Sequence, residues 1–151
     1  MDKKVKVIPC SGIGKVYGLM AREAVLKTVH ELCPEKAETV CLVYIVTGDK
    51  EVKEKIEGCN CITIDGCPKM CASKNVSIAG GIVVEEMKVL DTVKAHKGKQ
   101  FGSPTELTAD GEHVMSEIAG KIAKRINEMS IDIKFIQPVN VDMDIPCGPK
   151  K

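Results

Sequence analysis

Ile64-Asp65-Gly66-Cys67-Pro68-Lys69-Met70-Cys71 is the stretch on which the architecture turns. Just upstream, Cys61-Ile62-Thr63-Ile64-Asp65 is short and β-branched, the composition of a strand. Gly66-Cys67-Pro68 breaks that run, and Pro68 is preorganised for a first helical turn. The spacing therefore predicts a helix that carries Cys71 and fades near Gly80-Gly81. Cys67 and Cys71 lie four residues apart, so on such a helix both sulfurs share one face. At a helix start the unpaired amides and the dipole favour the thiolate, the form that binds metal.

The same alternation repeats on either side. Val5-Lys6-Val7-Ile8 alternates and breaks at Pro9, which reads as a first strand, followed by the loop Cys10-Ser11-Gly12-Ile13-Gly14. From Val16 to Leu32 the apolar spacing is helical and stops at Pro34. Val40-Cys41-Leu42-Val43-Tyr44-Ile45-Val46 has the composition of a buried strand, and a polar helix over Lys50–Glu57 ends at Gly58. Ile82 to Val93 begins strand-like and is ambiguous beyond Val84, and Lys94 to Gly102 reads as a polar loop. Ser103-Pro104-Thr105-Glu106 offers a capping serine, proline in the first turn and glutamate three residues after the cap. Leu107, Val114, Met115, Ile118, Ile122, Ile126 and Met129 then form one apolar stripe. Strands alternating with helices predict a layered, Rossmann-like α/β fold with a mostly parallel sheet flanked by helices. Residues 1–136 are expected to form a single domain and 137–151 an irregular tail.

The chain has 151 residues, a formal charge of +1, 44% apolar residues, 3% aromatic residues and no Trp. Near-neutral charge and few aromatics argue against nucleic acid as a partner. No run is long and apolar enough for a membrane span. The amino terminus leads straight into a strand-like run without a signal core, so a cytoplasmic location is expected. What remains is an unidentified protein partner and, on base rates alone, a homodimer. In a reducing compartment, eight cysteines point to metal or thiol chemistry before a disulfide framework.

Cys67 and Cys71 need further ligands, and Cys10 is the best third. It follows the first strand, and the carboxyl edge of a parallel sheet gathers functional loops. Cys59-Asn60-Cys61 places two thiols on one side of an extended chain and supplies additional candidate ligands for zinc or an Fe–S cluster. Gly12 and Gly66 serve tight turns beside the thiols, and Asp65 either accepts turn amides or supports a ligand from behind. Cys147 reads as a free thiol in the tail, and Cys33 as structural. Ser11-Gly12-Ile13-Gly14-Lys15 fits neither G-x4-G-K-[ST] nor G-x-G-x-x-G. His30, His96 and His113 lack paired ligand spacing, and Glu85-Glu86 reads as a solvated charge pair.

Cys10-Ser11-Gly12, Cys41-Leu42 ahead of Gly48, and Asp65-Gly66-Cys67-Pro68 with Cys71-Ala72 together resemble the DGC-domain family, named for its Asp-Gly-Cys motif. The likeness covers roughly residues 5–80. It implies a zinc site of four cysteines, by position Cys10, Cys41, Cys67 and Cys71, in a family whose molecular function is not established. That set meets a geometric condition. A seven-residue strand spans roughly 20 Å, so Cys41 at the start of a parallel strand would lie at the opposite edge from Cys10 and Cys67. The family set requires the segment after Cys41 to begin as a helix or to run antiparallel. The strand reading instead groups Cys33, Cys41, Cys59 and Cys61. The family set is preferred, with a zinc-binding protein as the leading function. Alternatives are a thiol or Fe–S redox protein, and an enzyme with Cys67 as nucleophile acting on a small anionic ligand at the Cys10 loop.

Overall fold

The computed structural model describes residues 3–10 and 12–135, with side chains to Ser130. Ser11 and the tail with Cys147 lie outside the described residues. Strands β1 (Val5–Pro9), β2 (Ala37–Glu38), β3 (Asn60–Asp65) and β4 (Ile82–Lys88) form one sheet in the order β2-β1-β3-β4, with every pairing parallel. The expected α/β architecture with a parallel sheet flanked by helices is what the chain adopts.

Helices α1 (Val16–Lys27), α2 (Leu42–Val46), α3 (Lys50–Ile56), α4 (Cys71–Ile78), α5 (Val89–Val93) and α6 (Ala109–Phe135) cover both faces. Strand alternation decides which residue serves which face. Val7, Ile62 and Ile64 pack with Met20, Ala24 and Val25 of α1 and with the Val114, Ile118, Ile122 and Ile126 stripe of α6. Ile8 and Cys61 point the other way and meet Leu42 and Ile45 of α2, Ile56 of α3, and Ala72 and Val76 of α4. Burying each of these large side chains is worth roughly 1.5–3 kcal/mol, and both apolar layers are built from a full set of them.

Two local expectations are corrected and one open stretch is resolved. The run after Cys41 is a helix, not a strand. Leu42 and Ile45 are buried while Val43, Tyr44 and Val46 are more than half exposed, a pattern of helical rather than two-residue period. Packing of those two side chains against Ile8, Ala72 and Val76 outweighs β-propensity. Gly48, at φ +74, ends the helix in the left-handed conformation, and the Asp49 carboxylate caps α3 by accepting the Val52 amide at 3.0 Å. The ambiguous stretch resolves into β4 and the short α5. The last helix starts at Ala109, later than Ser103 suggested. The Ser103 hydroxyl does accept the amide of Glu106 at 3.1 Å, but within a turn, and Thr108 supplies the helix cap through Gly111 at 3.2 Å.

Candidate metal centre

From the end of β1 the chain turns to α1 on one face of the sheet, and from the end of the adjacent β3 it turns to α4 on the other. Neighbouring strands whose exits diverge leave a crevice at their carboxyl ends, the usual ligand position in open α/β sheets. Three glycines let the loops close over it. A Cβ on Gly18 would lie 2.0 Å from the Gly12 Cα, and a Cβ on Gly66 would lie 2.9 Å from the Gly18 amide nitrogen. The Cys10 loop, the start of α1 and the β3–α4 turn therefore meet backbone to backbone. Gly12, at φ +62, also needs the freedom that lacking a Cβ provides. Gly18 was not singled out in the sequence. The signal was its near-fit to a glycine-rich loop, displaced by one residue.

Asp65 is the organising polar group of the β3–α4 turn. Its buried carboxylate accepts the amides of Ala72 at 2.8 Å and Ser73 at 3.2 Å, satisfying two donors at the start of α4 from six residues before it. Burial raises the carboxyl pKa, and those two hydrogen bonds oppose the rise. Between strand and helix, Cys67 to Met70 form a turn closed by the Met70 amide on the Cys67 carbonyl at 3.3 Å, with Met70 at φ 55. The helix begins only at Cys71. Cys67 and Cys71 consequently do not share a helix face, as their spacing had suggested; one sits in the turn, half-buried, and the other at the helix start, exposed.

Cys10 is half-buried, and its Sγ accepts the Gly66 amide at 3.3 Å. Burial pushes its thiol pKa up, the Gly66 bond pulls it down, and the nearby Asp65, Cys67 and Cys71 charges push it up further. A cleft of about 240 Å³ opens here, lined among others by Cys10, Tyr17, Cys67, Cys71, Lys15 and Lys69. Cys41 comes three residues after the carboxyl end of β2 and, unlike Cys10, Cys67 and Cys71, is not among the residues that line the cleft. It is extended (φ −71, ψ 127), exposed, and stands immediately before α2.

The remaining cysteines lie elsewhere. Cys59 precedes β3 and Cys61 is its second residue, both buried, and the Cys61 thiol donates to the Cys59 carbonyl at 3.3 Å. From Cys61 to the end of β3 at Asp65 the strand advances about 13 Å, so the Cys59/Cys61 pair is not brought to the Cys10 crevice. Cys33 is buried in the apolar layer shared with α1 and α6. A larger hollow of about 400 Å³, lined by residues such as Lys3, Lys4, Lys36 and Cys59, lies at this opposite end of the sheet. The smaller cleft is the candidate centre, because loops from separate strands and several half-buried or exposed thiols converge there.

Thiols without histidine or carboxylate ligands suit a soft or borderline cation such as Zn²⁺, which sites of four cysteines hold tetrahedrally. Among the described residues, no three His, Cys, Asp or Glu side chains already stand close enough together to hold a metal ion. Three of the four candidate thiols, Cys10, Cys67 and Cys71, line the one cleft, a donor set whose chemistry suits such a cation, and the exposed Cys41 stands outside that lining. No helix among the described residues is long and apolar enough to cross a membrane. No curated protein and no solved structure shows significant similarity to the chain. The family model of the DGC domain matches residues 6–118, well over half of the sequence and the whole span from β1 into α6. The chain belongs to the DGC-domain family.

Proposed function

We propose that the chain binds one zinc ion through the thiolates of Cys10, Cys41, Cys67 and Cys71. The single observation that carries the reading is the helix over Leu42–Val46, because it meets the condition on which Cys41 could join the thiols of Cys10, Cys67 and Cys71 that line the cleft. Had that run been a strand, the set would have been divided between opposite edges. Cys10 and Cys67 are the inner ligands in the crevice, and Cys41 and Cys71 close it from outside. Zinc, when bound, supplies a charge centre that keeps all four sulfurs deprotonated. Four closed thiolates leave no open coordination position, which favours a binding or carrier role over hydrolysis.

Iron would accept the same thiolates, and the test separates the two metals. Protein purified without oxygen and without affinity-tag metal is analysed for zinc, iron and sulfide alongside its absorption spectrum. The expected result is about one zinc per chain and no visible band. Cys67→Ser and Cys71→Ser are each expected to reduce metal content strongly. Unchanged stoichiometry in both variants would sink the proposal, and iron with sulfide would transfer the site to the redox class. Lys15 and Lys69 beside the cleft favour a second reading, a small anionic ligand held near Cys67. The cleft's one carboxylate, Asp65, is already committed to the α4 amides, which leaves that reading without a general base.

A further inference from the structure

We infer that the metal at the carboxyl edge is cargo: the chain takes it up reversibly and passes it to an acceptor that itself presents thiols. The inference rests on the zinc reading above and deepens it.

The core stands without the site. The two apolar layers incorporate Cys33 and Cys61, but of the four candidate ligands only Cys10 reaches them, at their margin. The loops around the crevice are held by the Gly12–Gly18–Gly66 backbone contacts and by the Asp65 carboxylate on the α4 amides, none of which needs a metal. Small zinc modules that fold only with metal lack such a core. Here the metal is free to leave a folded chain.

The four thiols also divide into an inner and an outer pair. Cys10 and Cys67 are half-buried, with Cys10 fixed by the Gly66 amide. Cys41 and Cys71 are exposed, at the starts of α2 and α4. Their immediate successors in the chain, Leu42 and Ala72, are buried in one apolar cluster, which leaves the outer pair at the solvent side of two packed helices. An acceptor approaches from that side. Its thiol bonds to the metal through sulfur and gives up a proton, while Cys71 or Cys41 leaves the metal and takes up a proton. No electrons are exchanged and the zinc remains Zn²⁺. Cys10 and Cys67 release last.

The test loads the full chain with one equivalent of Zn²⁺ and mixes it with an excess of a synthetic zinc-finger peptide that has four cysteine ligands and a tryptophan. The chain has no Trp, so the fluorescence change reports metal arriving in the peptide alone. The transfer rate is expected to rise in proportion to peptide concentration, doubling when the peptide is doubled. Cys41→Ser, with one outer ligand fewer, should transfer several-fold faster. The metal-free chain should keep its far-ultraviolet circular dichroism and melt cooperatively. A rate that stays flat as peptide is raised would overturn the inference, since zinc would then leave unaided before meeting the acceptor, and loss of the fold on chelation would overturn it by marking a structural metal. A chain that takes up no zinc at all would instead remove the zinc reading beneath it.

Discussion

At the amino end of the sheet, Cys33, Cys59 and Cys61 are 4%, 7% and 0% exposed, whereas at the carboxyl end Cys41 and Cys71 are exposed and Cys10 and Cys67 half-buried. The contrast arises from where each residue falls along its strand. Cys61 lies inside β3 beside Lys6 of β1, and both residues are buried. Burial lowers the Lys6 pKa, the neighbouring thiols raise it, and the Lys6 ammonium finds its partner in Glu38. Burial pushes the Cys61 thiol up to about 11, which suits a small apolar filler rather than a ligand. The carboxyl-end cysteines sit where strands hand over to helices, so their thiols face the crevice or the surface. One residue type thus stands in two different environments at the two ends of one sheet.

The sharpest way to break this comparison is alkylation of the native, metal-free chain. Cys41 and Cys71 should react promptly with iodoacetamide, and Cys33, Cys59 and Cys61 only on unfolding. Labelling of Cys61 at the Cys71 rate, followed by peptide mass spectrometry, would erase the distinction. The carboxyl edge also depends on close backbone contact. Gly18→Ala would put a methyl 2.0 Å from the Gly12 Cα, and denaturant unfolding should show a loss of about 3 kcal/mol or more.

The amino end should reveal itself through pH. The Cys61 thiol has a folded pKa raised from the ordinary 9.0 to about 11. Its contribution is therefore fully present below pH 9 and disappears as pH rises through the folded value. Between those limits the metal-free chain should lose about 2 kcal/mol of stability, and Cys61→Ala should flatten that slope. Urea melts at a series of pH values provide the check. The smallest expected effect belongs to Asp65. Asp65→Asn keeps the shape but weakens acceptance of the Ala72 and Ser73 amides, for a loss of about 1 kcal/mol. It should also lower zinc affinity by loosening the turn between Cys67 and Cys71.

Much of this molecule is legible in the sequence, and the exceptions have physical causes. β1, α1 and β3 follow from residue type and period alone, and the Asp65-Gly66-Cys67 turn announces itself by its breakers. Val40–Val46 misleads because β-branched side chains look the same whether they line a strand or ride exposed on a short helix. Gly48-Asp49, a helix stop followed by a cap, was the local signal for the helix. Ser103 misleads for a related reason: its hydroxyl caps amides as expected, but of a turn that precedes the helix. The Gly12–Gly18–Gly66 contact and the left-handed Met70 are products of tertiary closure, and no spacing rule reports them. The Cys10–Cys67 meeting was legible from topology, and the position of Cys41 only as a condition on the conformation of Leu42–Val46.

The measurement that tests the central claim most directly is X-ray absorption at the zinc edge on the loaded chain, compared with Cys41→Ser. The account predicts four sulfur neighbours at about 2.3 Å in the native chain and three with one lighter ligand in the variant. A native spectrum dominated by nitrogen or oxygen would contradict it. So would an unchanged sulfur shell in Cys41→Ser, because Cys41 would then not belong to the site.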